Sequence, residues 1–465
     1  MERLAVCVNV SNRAVTQFTN YPFNSFAHLG DEVFLGANEE GLYLLGGNMD
    51  DSVPIQAEVV TKTTDLRDFR RKRFVRAYLG CRCDGDLTFG VSTEDGAYAD
   101  FVKAHARVDG AIGGVRVPLD SSIRGRYWTF RITNMDGADF SLDALHLINT
   151  ERRQFPIMLG SMGLHAKLDP TRITYDPELG LMSLARAVNV EIDNTGGIHR
   201  RKGYSPISVG EYHSLFCDKG HCLVVREHTN AAAIYRVNPD LTLSGVRSGL
   251  TKGRHMAFHA VNGLVYYSNG VENGIYVEEA EASVPWTKAD QVGLSMDREI
   301  GDPPPACHIT TLGLHMILAD ANNRSVLWVS SDGGFNSFNL DDGHVDLSHP
   351  VTMLRGVSDG LWVGTTKETV YLAGTTPDEW VVARRLPYGV KEFSAAHEKV
   401  SVSRIGVEEY QGEGIFWVSD RGVCWGGPRG QTFEIAHQHI DPREFVGNAG
   451  ACLVAEDKLI FTIEP

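Results

Sequence analysis

The chain is short of the features that mark the commonest functional classes. No run approaches the roughly 18 consecutive apolar residues that a membrane helix needs, so no membrane insertion is expected and the chain reads as soluble. Eight cysteines in 465 residues make no disulfide framework. The opening MERLAVCVNV lacks a charged segment followed by a long apolar one, so synthesis in the cytoplasm with reduced thiols is expected. Basic residues are outnumbered: 44 Lys and Arg against 59 Asp and Glu leave a net charge of −15. That field opposes approach to phosphates and argues against specific nucleic-acid binding. Long stretches of Ala, Leu, Glu and Lys are scarce, whereas Gly (48) and β-branched residues are plentiful. The composition predicts an all-β fold with little helix.

Catalytic and cofactor signatures are equally sparse. No Gly-rich loop carries the Lys of a phosphate-binding loop, and no G-x-S-x-G turn occurs. His255 and His259 are four apart, but the segment reads as strand and lacks the Glu of a metalloprotease. Cys81 and Cys83 fall on one side of a strand, and Cys217 and Cys222 flank His221; neither pair has a second pair at zinc spacing, which predicts buried thiols. Asp341, Asp342 and Asp346 offer oxygen ligands without EF-hand spacing and read as a solvated loop. Residues 330–338, SSDGGFNSF, approximate the Asp-box turn of sialidase propellers and read as a structural turn whose aromatic packs between blades. No catalytic, cofactor-binding or metal residue is assigned, no cofactor is expected, and the chain reads as a non-enzyme.

What is abundant is the β-hairpin. Residues 184–203, LARAVNVEIDNTGGIHRRKG, read as two strands around a Gly-bearing turn, with Val188, Val190 and Ile192 on one face and a basic tip at Arg200, Arg201 and Lys202. Similar units follow: GLVYYSNG with NGIYVEE, HMILADA with RSVLWVSS, GLWVGTT with TVYLAG, and GIFWVSD with RGVCWGG. Their spacing of roughly 40–50 residues is the length of a four-stranded propeller blade. The final ACLVAEDKLIFTIEP has only two strands. A closed ring cannot leave bare edges, so its partners must come from residues 184–203 or from residues 1–48.

The expected architecture is a β-propeller of about six blades, with five or seven as neighbours, and an N-terminal, jelly-roll-like β-sandwich. Residues 1–48 form a blade-like segment docking on the propeller or a neighbour, 53–150 the sandwich, 151–183 a connector and 184–465 the propeller. In the sandwich, Trp128, Phe130 and Ile132 share a face, and Leu142, Leu145 and Leu147 turn towards a core. Inside it sits the strongest charge run of the chain, Arg70, Arg71, Lys72, Arg73 and Arg76. This run reads first as a solvated edge strand, second as an inter-subunit contact onto an acidic neighbour, and third as a DNA contact.

The stretch GLHAKLDPTRITYDPELGLMSLARAVNVEIDNTGGIHRRKGYSPI, followed by HSLF, resembles the start of propeller-type virion structural proteins of tailed bacteriophages. DFRRKRFVRAYLG with GRYWTFRITNMDGADFSLDALHL is similar to a sandwich domain common in phage tail-tip and virion proteins. The resemblance implies a virion protein of the tail (hub, tip or baseplate adaptor), homo-oligomeric, with other phage tail proteins as partners and no shared active-site motif. The alternative is a protein that binds or cleaves host-surface glycans, for which Trp286, Trp362, Trp380, Trp417 and Trp425 are available as platforms.

Overall fold

The computed structural model describes residues 1–465 except 1–2, 31, 97, 105–112, 121, 159–160, 174, 177–180, 219, 289–299, 403–409, 436–438, 441–445, 456–457 and 465. Helix among the described residues is limited to two single 3-10 turns, Pro377–Glu379 and Pro428–Gly430. The chain is all-β, a β-propeller carrying a β-sandwich.

Among the described residues seven blades form the ring, one more than the expected six and within the five to seven allowed; the sheets of blades I and IV have six strands, and the other blades have four each. Blade I is Ser25–Leu29, Val33–Ala37, Gly41–Leu45 and Tyr204–Val209. Blades II to VI follow in order, with innermost strands Glu211–Asp218, Ala257–Val261, Ala306–Leu312, Val351–Val357 and Ala396–Val402. Blade VII joins Ala449–Ala455 and Lys458–Glu464 to Leu4–Asn9 and Val15–Phe18, in a register that sets Leu4 opposite Ile463 and Asn9 opposite Lys458. The half-blade read at the C-terminal end of the sequence is therefore completed by the first strands of the chain.

Burial explains why the blades read as short apolar runs. The second strand of each blade is covered on both faces by its neighbours, and Gly360–Thr365 is buried at every position. The outermost strand Val381–Leu386 is exposed at five successive residues. Among the described residues, seven hydrophobic clusters lie one at each junction between successive blades, and an eighth fills the sandwich. The cluster around Phe23, Tyr43, Tyr204, Leu453 and Ile460 seals blade VII against blade I.

The sandwich is an insertion between the third and fourth strands of blade I. One sheet contains Asp86–Thr93, Trp128–Asn134, Glu58–Val60 and Arg186–Val188; the other contains Phe74–Cys83, Phe140–Asn149, Ile198–Arg200 and Val190–Ile192. Trp128, Phe130 and Ile132 alternate into its core. A register shift between Leu142 and Ala144 carries the strand from Leu142 to Leu145 and Leu147 without leaving that core.

Residues 184–203 are therefore not the first propeller hairpin. Asn189 takes a left-handed conformation (φ 53°), which an Asn tolerates, and breaks the apparent strand in two. Arg186–Val188 joins the first sandwich sheet, while Val190–Ile192 and Ile198–Arg200 form a hairpin in the second. The expected basic tip is also corrected, because Arg200 and Arg201 are buried. The segment 1–48 does not dock on the ring but is built into blades VII and I.

The two domains share backbone. Arg186–Val188 pairs in parallel with Val15–Phe18 of blade VII, so a sandwich sheet runs into a blade. Behind that seam Arg201, wholly buried, donates to Asp50 through both terminal nitrogens (2.8 and 2.5 Å), to Asn189 Oδ1 (2.9 Å) and to the carbonyls of Thr19 and Lys202. Its guanidinium also lies 5.3 and 5.2 Å from the ring centres of Phe18 and Tyr21.

Candidate functional site

Inner strands that tilt around an axis send side chains towards one another, and here all seven blades contribute to a single cavity of about 130 Å3. Its lining includes Ser25 from blade I, Ser214 from II, His255 and Phe258 at III, Cys307 and His308 from IV, Thr352 and Arg355 from V, Phe393 entering VI, and Cys452 from VII. Phe393 has φ 62°, and this turn lays its ring on the His255 imidazole, with centres 3.5 Å apart and planes 9° apart. His308 meets the same ring at 5.8 Å, and His213 stands 6.1 Å from His255.

Charges surround this aromatic stack. Glu392 Oε1 accepts from Arg324 and lies 3.5 Å from His308 Nε2. Burial works to raise the Glu392 carboxyl, but His308 and Arg324 outweigh it and hold it below the usual range. Glu227, with 1% of its side chain exposed, accepts from His213 Nε2 (2.9 Å) and the Gly253 amide (2.8 Å). Desolvation lowers the His255 imidazole well below its ordinary value and lowers His308 as well. Among the described residues Arg355 has a single hydrogen bond, from Nη1 to the Leu354 carbonyl at 3.1 Å.

The basic run lies elsewhere, on the sandwich, and is not one strand. Only Phe74–Cys83 is strand; residues 70–73 lead into it, so the expected alternation holds no further back than Phe74. Arg70 and Arg71 are exposed and pair with Asp68 and Asp95, and Phe69 beside them is 75% exposed. Lys72 is buried, its Nζ donating to the carbonyls of Asp68, Arg70 and Arg126. Arg73 is half-buried and Arg76 is exposed on the strand. The cations thus divide into an outward group and one structural lysine.

The other sequence candidates separate. His255 sits at the axis, whereas His259 Nε2 meets Thr311 Oγ1 at 2.9 Å. Cys81 and Cys83 are buried in the sandwich core, where desolvation pushes the Cys81 thiol up to about 11. Cys217 and Cys222 face each other across the first hairpin of blade II and are joined as a disulfide, which corrects the expectation of reduced thiols for this pair. Asp341, Asp342 and Asp346 are exposed. Among the described residues no three His, Cys, Asp or Glu side chains converge as a metal set. SSDGGFNSF forms a hairpin turn, with Gly333 at φ 66°, and its Phe338 is wholly buried with Tyr266 and Trp286 between blades III and IV. Sequence reading missed Arg355, although a lone Arg inside the apolar strand VTMLRGV was a visible anomaly.

No family model matches the chain, and comparison with curated proteins finds no match. Solved structures do resemble it at low identity. Hsv2 from Kluyveromyces lactis is 11% identical, with 64% of this chain and 95% of that chain covered and a TM-score of 0.28. BBS1N, solved in complex with ARL6DN, is 11% identical over 69% of this chain and 88% of that one, with a TM-score of 0.30. PorZ from Porphyromonas gingivalis is 10% identical over 64% of this chain, which spans 31% of PorZ, with a TM-score of 0.29. Likeness at this level carries no argument about what this chain does.

Proposed function

We propose that this chain is a non-enzymatic structural protein of a tailed-bacteriophage virion, a tail adaptor that joins neighbours through its propeller and sandwich surfaces. The observation that carries the reading is the continuous sheet between sandwich and blade VII, backed by the buried Arg201–Asp50 pair. Two binding platforms fixed at one angle suit a part that must hold other parts in register. Most domains joined in one chain meet through smaller, more polar contacts that let them move.

In this reading copies of the chain pack around an axis. A body with net charge −15 repels its own copies, so contacts need positive surface, and Arg70 and Arg71 beside exposed Phe69 supply an Arg and aromatic group of the kind enriched at interfaces. Of the five tryptophans available to the glycan alternative, Trp362, Trp417 and Trp425 are wholly buried and Trp286 is 3% exposed, which leaves the half-buried Trp380 as its platform. Labelling the protein in intact particles and imaging them by electron microscopy tests the proposal: a discrete ring of label on the tail is expected. Purified, infectious particles that contain none of the chain would overturn it.

A further inference from the structure

Among the described residues, the axial cavity holds a cation with no anion paired to it. Arg355 lines the cavity, and its only hydrogen bond among the described residues goes to a neutral carbonyl. The two carboxylates nearby are already committed, Glu392 to Arg324 and His308, and Glu227 to His213 and Gly253. Arg355 is half-buried, so its guanidinium can be reached from the cavity by a small anion that would supply a counter-charge.

Two further groups face the same space unsatisfied. Thr352 is 6% exposed and lines the cavity, yet its Oγ1 has no hydrogen-bond partner among the described residues. The buried Nδ1 of His255 is likewise without one. Buried polar atoms without partners are uncommon, and a cluster of them around one void marks a place built for a polar occupant. Thr352 and the imidazoles can each donate, and Arg355 has donors to spare.

Size decides what kind of occupant fits. About 130 Å3 is the room of roughly four waters. It is well below the ~300 Å3 at which pockets for drug-sized ligands begin. A space of this size suits a tetrahedral ion of five heavy atoms better than a nucleotide or a sugar. We infer that the propeller axis is a binding site for one phosphate-sized oxyanion, held by Arg355 with Thr352. It is independent of the virion proposal.

Isothermal titration of the purified full chain, exchanged into chloride buffer, with inorganic phosphate and separately with sulfate tests the site. Saturable binding of one ion per chain is expected, with Arg355→Gln weakening it at least about tenfold and Thr352→Val about threefold. Chloride in equal ionic strength should not compete. Absence of saturable binding by both oxyanions, or wild-type affinity in Arg355→Gln, would overturn the inference. If Arg355→Gln does not fold, Thr352→Val and a crystal structure of the unaltered chain grown in phosphate decide: tetrahedral density on Arg355 supports the site, and water alone there refutes it.

Discussion

At the scale of single residues, Arg201 is the side chain on which most converges. It is wholly buried, and Asp50, 3% exposed, would be left as a bare charge without it. Arg201→Met should therefore cost about 3–5 kcal/mol in urea unfolding. Arg201→Lys should recover little of this, because an ammonium cannot fork to Asp50 and reach Asn189 and Thr19 at once. Of this site the sequence displayed the residue but not its role. HRRK reads as a solvated tip because its partners, Asp50, Thr19 and Asn189, are brought to it only by the insertion of the sandwich.

The axial histidines give a pH dependence with a definite sign. His255 and His308 are held neutral below their ordinary value of 6.5, chiefly by desolvation, with His213, Arg355 and Arg324 adding positive field and Glu392 opposing it at His308. Glu227 lies beyond His213. Below pH 6.5 the unfolded chain takes up protons that the folded chain refuses, so stability is whole above that pH and falls as the pH drops. The melting temperature should decline from pH 7 to about 5.5, and replacing both histidines with Gln should flatten that slope. An unchanged slope would mean that other groups set it.

At the scale of elements, the strands were legible and their partners were not. Apolar runs such as GLWVGTT and GIFWVSD announce buried second strands, and the cores of both sandwich sheets follow from alternation. Alternation does not say which sheet a strand enters, and one left-handed residue, Asn189, reassigns the whole segment from propeller to sandwich. Closure was half legible: an orphan pair of strands demanded partners, and residues 1–48 were one of two suppliers. Deleting residues 450–465 should abolish soluble expression, and so should deleting residues 1–18, since each leaves half of blade VII with open edges. Soluble protein with an unchanged melting temperature from either deletion would contradict this closure.

The basic run yields a sharper test than its sequence allowed. Arg70→Glu with Arg71→Glu changes two exposed side chains and should leave the melting temperature within about 2 °C while reducing incorporation into particles. Lys72→Glu should do the opposite, lowering stability because three carbonyls lose their donor. Equal incorporation of the double variant and the parent would make the outward arginines a solvated surface only.

For the whole molecule, blade closure sets a timetable. Arg3 pairs with Glu464 across 461 residues, and the strand beginning at Leu4 lies against the strand ending at Glu464. At ~5–20 residues per second a ribosome needs about 20–90 s to supply the second after the first. The sandwich, nested inside blade I, is complete by Arg200 and can fold early; blade I must wait for Tyr204, and the ring for the last strand. Throughout that interval Leu4–Asn9, apolar and unpaired on one side, is an adhesive edge in a crowded cell. The chain's vulnerability therefore lies in its synthesis, and its yield depends on how well its first strand is shielded until its last one arrives.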